Sequence, residues 1–170
     1  MKQPIEIPVS RIREVLSYDP LTGIFLWKVK TGDKVVVGSR AGNATGHGKA
    51  RISVDTVLYA AHRLAWVIMT GEQPPDVIDH ANGDPLDNRW ANLRAADYSL
   101  NSANRASQSN SQTSVKGVCY VPYLSRKKPW LAQLTCKGVP RLRKCFATQE
   151  EAKAAYDEAA RRWFGDFARI

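Results

Sequence analysis

The stretch that most constrains this chain is Ile78-Asp79-His80-Ala81-Asn82-Gly83-Asp84-Pro85-Leu86-Asp87-Asn88-Arg89-Trp90-Ala91-Asn92-Leu93-Arg94. A short apolar run ends in Asp-His, a loop dense in Asn, Asp, Gly and Pro follows, and a second run ends in Leu93-Arg94. That is the pattern of two strands joined by a long loop. Asp97 is a good N-cap for a short helix after the second strand, with Leu100 and Ala103 on one side and Asn101 and Asn104 facing elsewhere. The predicted order is strand, loop, strand, helix.

Neighbours on a strand point to opposite faces, so Asp79 and His80 converge only where the strand ends or bends. A terminus just before an irregular loop allows this, and the helix then delivers Asn101 against Asp79 from across the hairpin. Asp and Asn supply hard oxygen ligands for a Mg-like ion that keeps several waters, and His80 has the near-neutral pKa of a general base. The set describes metal-assisted hydrolysis of a phosphodiester. Taken singly, an Asp-His pair is usually a surface pair or a capped turn. Loop Asn and Asp are most often turn formers, the role assigned here to Asp84 and Asp87, with Asn82 a further candidate. The weight rests on the whole string in register followed by Asn101.

These residues resemble the HNH endonucleases with the ββα-metal fold, in the branch of phage and intron-encoded (homing) nucleases. The carrying residues are Asp79-His80-x-Asn82-Gly83, Asp87-Asn88-Arg89-x-x-Asn92-Leu93-Arg94, and Asn101 with Asn104. The resemblance implies that Asp79 and Asn101 ligate a divalent ion, Mg²⁺ or Mn²⁺, that His80 activates the attacking water, and that Asn92 pins the loop by side-chain to backbone hydrogen bonds. The third signature position is Asn101 and not His, as in the Asn-ending variant of the family. Asn is a harder and weaker ligand than imidazole.

The charge balance asks for a polyanionic partner. Lys and Arg number 25 against 16 Asp and Glu, a formal charge of +9, and Val115 to Ile170 alone carries +7 of it. Cys119, Cys136 and Cys145 lie in that same last third, with no C-x-x-C spacing and no nearby histidine, so no structural zinc is expected. The odd count and the lack of a recognisable secretory leader fit buried free thiols in a reducing cytoplasm. No apolar run approaches the ~18 residues that a membrane span requires.

Ahead of the central stretch, Ser10 to Tyr18 has a short helical pattern with Ser10 as cap, Asp19-Pro20-Leu21-Thr22-Gly23 is a turn, and Ile24 to Val29 a strand. Tyr-Asp-Pro-x-Thr-Gly-x-x-x-Trp also occurs at the start of phage proteins of the resembled family, with a scaffold role. Gly46-His47-Gly48 is expected to be a hairpin turn and not a phosphate cradle, because no helix start follows it. Strands are predicted over Ala50 to Val54 and Val57 to Tyr59. Ala61 to Thr70 is expected to be a helix with Leu64, Ala65, Ile68 and Met69 inward. His-Arg-Leu-Ala-Trp at its beginning belongs to the same family pattern, which implies a phosphate-binding or transition-state role for Arg63 and a structural one for His62.

Arg105 to Ser114 is short, polar and Ser/Gln-rich, marking a connector. The expected organisation is a nuclease domain over 1–106, a linker over 107–114 and a second domain over 115–170. In the last, strands are predicted over 116–121, 129–136 and 141–146, and then a helix with Thr148 and Glu151 as capping box and Ala152, Ala155, Tyr156, Ala159 and Trp163 inward. Trp130, Ala132 and Leu134 would pack on that helix, leaving Leu131, Gln133 and Thr135 outward. The pieces Lys116-Gly117-Val118, Trp130-x-Ala132-x-Leu134, Phe146-x-Thr148-x-Glu150-Glu151-Ala152, Ala155-Tyr156-Asp157-x-Ala159-Ala160 and Phe164-Gly165 resemble the plant APETALA/ethylene-response-factor domain. The resemblance implies that the free sheet face enters the DNA major groove, with Lys116, Tyr120, Gln133, Thr135 and Arg141 or Arg143 at the bases and Arg126, Lys127 and Lys128 on phosphates. Cys119 stands where an arginine is usual, and Arg143-Lys144 where Leu-Gly is usual, so no sequence preference transfers.

The expectation is an α+β protein, a ββα-metal nuclease domain with accessory strands plus a three-stranded antiparallel sheet packed on one helix. Its partner would be double-stranded DNA, in a host cytoplasm if phage-encoded, with no membrane and no obligate protein partner evident. The competing class is a non-catalytic DNA-binding regulator on a ββα scaffold. An RNA-acting nuclease is the weaker third, because the sheet lacks paired exposed aromatics.

Overall fold

The computed structural model describes residues 6–44, 48–105, 113, 115–124 and 126–170. Gly46 and His47, and all of the 107–114 stretch except Thr113, lie outside these residues. The chain divides into two compact units, Met1–Ala96 and Asp97–Ile170, each with its own hydrophobic core.

The first unit runs α1 (Val9–Val15), β1 (Leu16–Asp19), β2 (Ile24–Trp27), β3 (Asn43–Ala44), β4 (Ala50–Val54), β5 (Val57–Ala60), α2 (Ala61–Thr70), β6 (Val77–His80) and β7 (Leu93–Ala96). Its strands form a β1-β2 hairpin, a β3-β4-β5 sheet and a β6-β7 hairpin, all antiparallel. The helix expected to reach Tyr18 stops at Val15, and Ser10 lies inside it behind Pro8 as N-cap. Leu16 to Asp19 instead pair with Trp27 to Ile24, which buries Leu16 and sets the Tyr18 and Phe25 rings 4.7 Å apart. Long-range pairing has overridden a weak local helical preference. The α2 helix has the predicted bounds, closed by Gly71 at φ 78°. Leu64 and Ala65 are buried, but Val67 takes the core position assigned to Met69, which is exposed.

The second unit runs α3 (Tyr98–Ala103), β8 (Val118–Tyr120), β9 (Trp130–Cys136), β10 (Val139–Phe146) and α4 (Gln149–Phe164), with strand order β10-β9-β8 and both pairings antiparallel. Thus β6, β7 and α3 follow as strand, strand, helix, the ββα type, and a separate three-stranded sheet packs on α4 in an α+β fold. The Asp97 carboxylate caps α3, accepting from the Leu100 N–H at 2.8 Å. Ala103 is buried in the second core and Leu100 packs against it. Ser99 Oγ accepts from the Lys137 N–H at 3.1 Å, tying α3 to the β9-β10 turn.

At the start of α4 the Thr148 hydroxyl accepts from the Glu151 N–H at 3.2 Å, while Glu151 reaches back to the Ala147 N–H at 3.1 Å, one residue before the position a capping box uses. The inward row is Ala152, Tyr156, Ala160 and Phe164, a strict i, i+4 series. Trp163 and Ala155 lie beside it, because a row that steps by four drifts around the helix relative to the mixed three-and-four spacing read from sequence.

Gly117 stands where no side chain fits. Its φ is +69°, and a Cβ there would lie 2.0 Å from Tyr156 Cε2 and 2.8 Å from the Gln133 carbonyl oxygen. Gly117→Ala is therefore expected to destabilise the second unit by about 3 kcal/mol or more through backbone strain and overpacking against α4. Urea unfolding checks this, and a loss below about 1 kcal/mol would show that Tyr156 yields.

Candidate active site and nucleic-acid surface

The Asp79-His80 pair ends β6, where the chain leaves the sheet. Asp79 is 4% exposed and stands directly opposite Arg94 in the β6-β7 register. Arg94 Nε and Nη2 both lie 2.8 Å from Asp79 Oδ2, so one carboxylate oxygen is fixed by the neighbouring strand. A buried pair of this kind adds little net stability but holds direction.

His80 is half-buried. Its ring meets His62, at the start of α2, edge to face with centroids 5.2 Å apart, and its Nε2 lies 3.5 Å from Asn88 Oδ1. Burial pushes the His80 pKa below its ordinary value, against the opposing effects of the Asn88 acceptor and the Asp79, Asp84 and Asp87 carboxylates. His62 is pushed further, to about 4, by burial first and then by the neighbouring His80, Arg63 and Lys49. Both rings are neutral at pH 7.

The loop after β6 is held by side-chain amides and carboxylates. Asn92 Oδ1 accepts from the Asn82 N–H at 2.9 Å and its Nδ2 donates to the Asp87 carbonyl at 2.8 Å, clamping the two ends of the loop. Asn82 Nδ2 donates to Asp87 Oδ2 at 2.7 Å, and Asn82 and Asp84 each accept from a backbone N–H two residues on, as turn formers do. Arg89 forks onto both Asp87 oxygens at 2.8 and 2.6 Å and holds that carboxyl down at about 2. The N-terminal Tyr18–Gly23 turn braces the same loop. Tyr18 Oη donates to the Asn88 carbonyl at 2.6 Å, and the Trp90 N–H donates to the Pro20 carbonyl at 2.9 Å.

Arg63 Nη1 donates to the Pro75 carbonyl at 2.9 Å, so its guanidinium also serves the chain entering β6. Asn101 is half-buried on α3 in the second unit. Among the described residues no group of three or more His, Cys, Asp or Glu side chains comes together to hold a metal ion. The Asp79 carboxylate is by itself an oxygen donor of the kind hard divalent ions take. Sequence reasoning gave Asn88 no role of its own and Tyr18 only a scaffold one. Arg94 could have been found from the hairpin register alone, because pairing His80 with Leu93 puts Arg94 across from Asp79.

On the second unit, strand pairing sorts the predicted DNA contacts. Gln133, Thr135 and Arg143 are exposed on the outward face, Gln133 opposite Arg143, and Arg126, Lys127 and Lys128 are exposed on the β8-β9 connection. Three residues of the predicted set sit off that face. Lys116 is half-buried and its ammonium donates to the Ser102, Ala103 and Arg105 carbonyls at the C-terminal end of α3, where a cation is favoured. Tyr120 pairs with Trp130, sharing the helix-side parity of Val118, with the two rings 4.9 Å apart. Arg141 is the extra residue of a β-bulge between Pro140 and Leu142, which turns its guanidinium onto the Trp163 ring at 4.1 Å. The outward face also carries Cys119, Leu131 and Cys145 side by side in register, with Leu131 buried between them. No helix among the described residues is long and apolar enough to cross a membrane.

Residues 59–103 match the family model described as HNH endonuclease. The chain is 31% identical over 119 residues to an uncharacterized HNH endonuclease of Acanthamoeba polyphaga mimivirus, covering 69% of this chain and 59% of that protein. It thus spans about three fifths of that relative's length. No solved structure matches the chain.

The neutral histidines make stability depend on pH. As pH falls below 6.5 the unfolded chain takes up a proton at His62 that the folded chain refuses until about 4. Stability is therefore fully present above 6.5 and declines as pH falls toward 4, by on the order of 1 kcal/mol per pH unit, with His80 acting in the same direction. Urea unfolding of wild type and His62→Gln between pH 7 and 4.5 checks this. An identical pH slope in the two proteins would show that His62 does not carry it.

Proposed function

We propose that this chain, which carries an HNH-type endonuclease domain over residues 59–103, hydrolyses phosphodiester bonds of double-stranded DNA with a divalent metal ion and His80 as general base. The observation that carries the reading is the end of β6, where a buried carboxylate adjoins an imidazole that burial keeps neutral. A neutral imidazole can accept a proton at pH 7, and Asp79 is a hard oxygen donor of the kind Mg²⁺ or Mn²⁺ prefers. Asp79, together with Asn101 as the resemblance implies, would hold the ion. When bound, the ion supplies Lewis-acid polarisation of a phosphoryl oxygen and charge stabilisation of the departing 3′ oxygen.

The chain's own residues do the rest. His80 takes the proton from an in-line water, and Asn92 keeps the loop beside it in one conformation. Arg63, near the start of α2, is a candidate to contact the phosphate. The outward sheet of the second unit delivers the substrate, with Gln133, Thr135 and Arg143 at base edges and Arg126, Lys127 and Lys128 on phosphates. The likeness to the ethylene-response-factor domain and the +7 charge of the last third support this placement. A mobile-element nuclease of the homing type, working in a host cytoplasm, is the biological setting that fits the Asn-ending motif.

Supercoiled plasmid incubated with Mg²⁺, with Mn²⁺ and with chelator tests the activity. Nicked or linear product is expected with metal and none with chelator. His80→Ala is expected to lose about 10²-fold or more in turnover with DNA affinity nearly unchanged. Asn101→Ala is expected to need more metal for the same rate. Gel retardation without any cleavage by the wild type would favour the regulator reading. Full-rate cutting by His80→Ala would remove that residue from its role. Gln133→Ala with Arg143→Ala is expected to weaken DNA binding while sparing the unfolding midpoint.

A further inference from the structure

Asn88 and the Tyr18-Asp19-Pro20-Leu21-Thr22-Gly23 segment have no part in the reading above, yet the structure joins them to each other and to His80. Asn88 is 4% exposed. Its Nδ2 donates to the Leu86 carbonyl at 3.0 Å, which fixes the amide's orientation and leaves Oδ1 facing His80 Nε2 at 3.5 Å. An amide oxygen only accepts, so a hydrogen bond there requires the imidazole proton on Nε2 and places the lone pair on Nδ1.

The backbone of the same residue is held from the N-terminal side. Tyr18 Oη donates to the Asn88 carbonyl at 2.6 Å. Gly23, at φ +72°, packs so closely that a Cβ would lie 2.6 Å from both Asn88 C and Arg89 N. The turn itself is rigid, because Asp19 accepts from the Leu21 N–H at 2.9 Å and from the Thr22 hydroxyl at 2.7 Å. Tyr18, Gly23 and Asn88 therefore form one buttress behind the imidazole, and the His62 ring bounds it on another side.

We propose that Asn88 is a positioning residue for His80, fixing the Nε2–H tautomer so that Nδ1 is the atom that takes the proton from the attacking water, and that the N-terminal turn holds Asn88 in place. The catalytic part rests on the nuclease reading; the tautomer is a property of the folded chain alone. In the step itself the water O–H bond breaks with its proton passing to Nδ1, the water oxygen bonds to phosphorus, and the P–O3′ bond breaks with its electron pair going to the 3′ oxygen, which takes a proton from solvent water. The imidazolium so formed donates from Nε2 to Asn88 Oδ1, a charge-assisted bond stronger than the one before proton transfer. Asn88 thus acts more on the transition state than on bound DNA, so it shows in kcat and not in KM.

The test uses the full chain labelled with ¹⁵N-histidine, metal-free at pH 7.5, with long-range ¹H–¹⁵N correlation of the His80 ring, alongside plasmid kinetics of each variant. Wild type is expected to show the Nε2–H tautomer. Asn88→Leu, which removes the acceptor, is expected to lose that preference and to drop kcat on the order of ten- to hundredfold at unchanged KM. Asn88→Asp, which restores an acceptor, is expected to regain the tautomer and most of the rate. Tyr18→Phe removes one hydroxyl and is expected to lower kcat severalfold at unchanged KM, which keeps the proposal open to refutation if Asn88→Leu does not fold. An Nδ1–H tautomer in wild type, or wild-type kcat in folded Asn88→Leu, would overturn it. An Nε2–H tautomer in a wild type that cuts no DNA would defeat the nuclease reading and leave the Asn88 assignment standing.

Discussion

The structure around the β6-β7 hairpin depends on amide side chains standing in for a backbone ladder. Between His80 and Leu93 the chain has only a short 3₁₀ turn at Trp90–Asn92, so its N–H and C=O groups find few partners within the loop backbone. Asn82, Asn88 and Asn92 fill that need, each bonding to backbone or to a loop carboxylate. A buried amide left without a partner costs about 1–3 kcal/mol, so these bonds act less as added stability than as a restriction to one conformation. Asn92 joins the loop's two ends, and the turn at Tyr18–Gly23 then closes over its outer side.

That restriction bears directly on two side chains that local strand geometry would point apart. Asp79 is turned toward Arg94 by the register, and His80 toward Asn88 and His62 by the loop and by α2. Each of the two side chains is thus aimed by a different element of the first unit, and neither by its own strand. In the second unit charge is divided between structure and surface. Lys116 closes α3 and Arg141 covers Trp163, while Arg143 and the Arg126, Lys127 and Lys128 group remain exposed. A formal charge read from sequence overstates the cations available to a polyanion, because some of them are committed to carbonyls and rings within the fold.

Where the sequence was legible, a local signal agreed with the tertiary one. The bounds of α2, the β6 and β7 strands and the Asp97 cap follow from periodicity and turn chemistry, and packing leaves them unchanged. It was not legible where pairing partners distant in sequence decide. Leu16–Asp19 left a helical pattern for β2, and the inward row of α4 moved to Ala160 and Phe164 because the sheet selected an i, i+4 series. Which side each residue faces was least legible in the last third. A single inserted residue at Pro140/Leu142 reverses the side on which Arg141 emerges, and nothing local announces a bulge. The string from Asp79 to Asn92 pointed to the HNH-type domain that the family model matches over 59–103, yet the contacts behind His80 were not legible, since Tyr18 and Asn88 are 70 positions apart.

The bulge has a second effect on the sheet that carries it. β10 is an edge strand, and so is the three-residue β8, so both margins of the sheet could in principle accept a strand from another molecule. β8 is too short to template one. β10 combines Pro140, which has no N–H to offer, with an irregular ladder at Arg141 and a further cation at Lys144. Two copies meeting edge to edge would therefore find no regular ladder along β10, which works against strand-to-strand association.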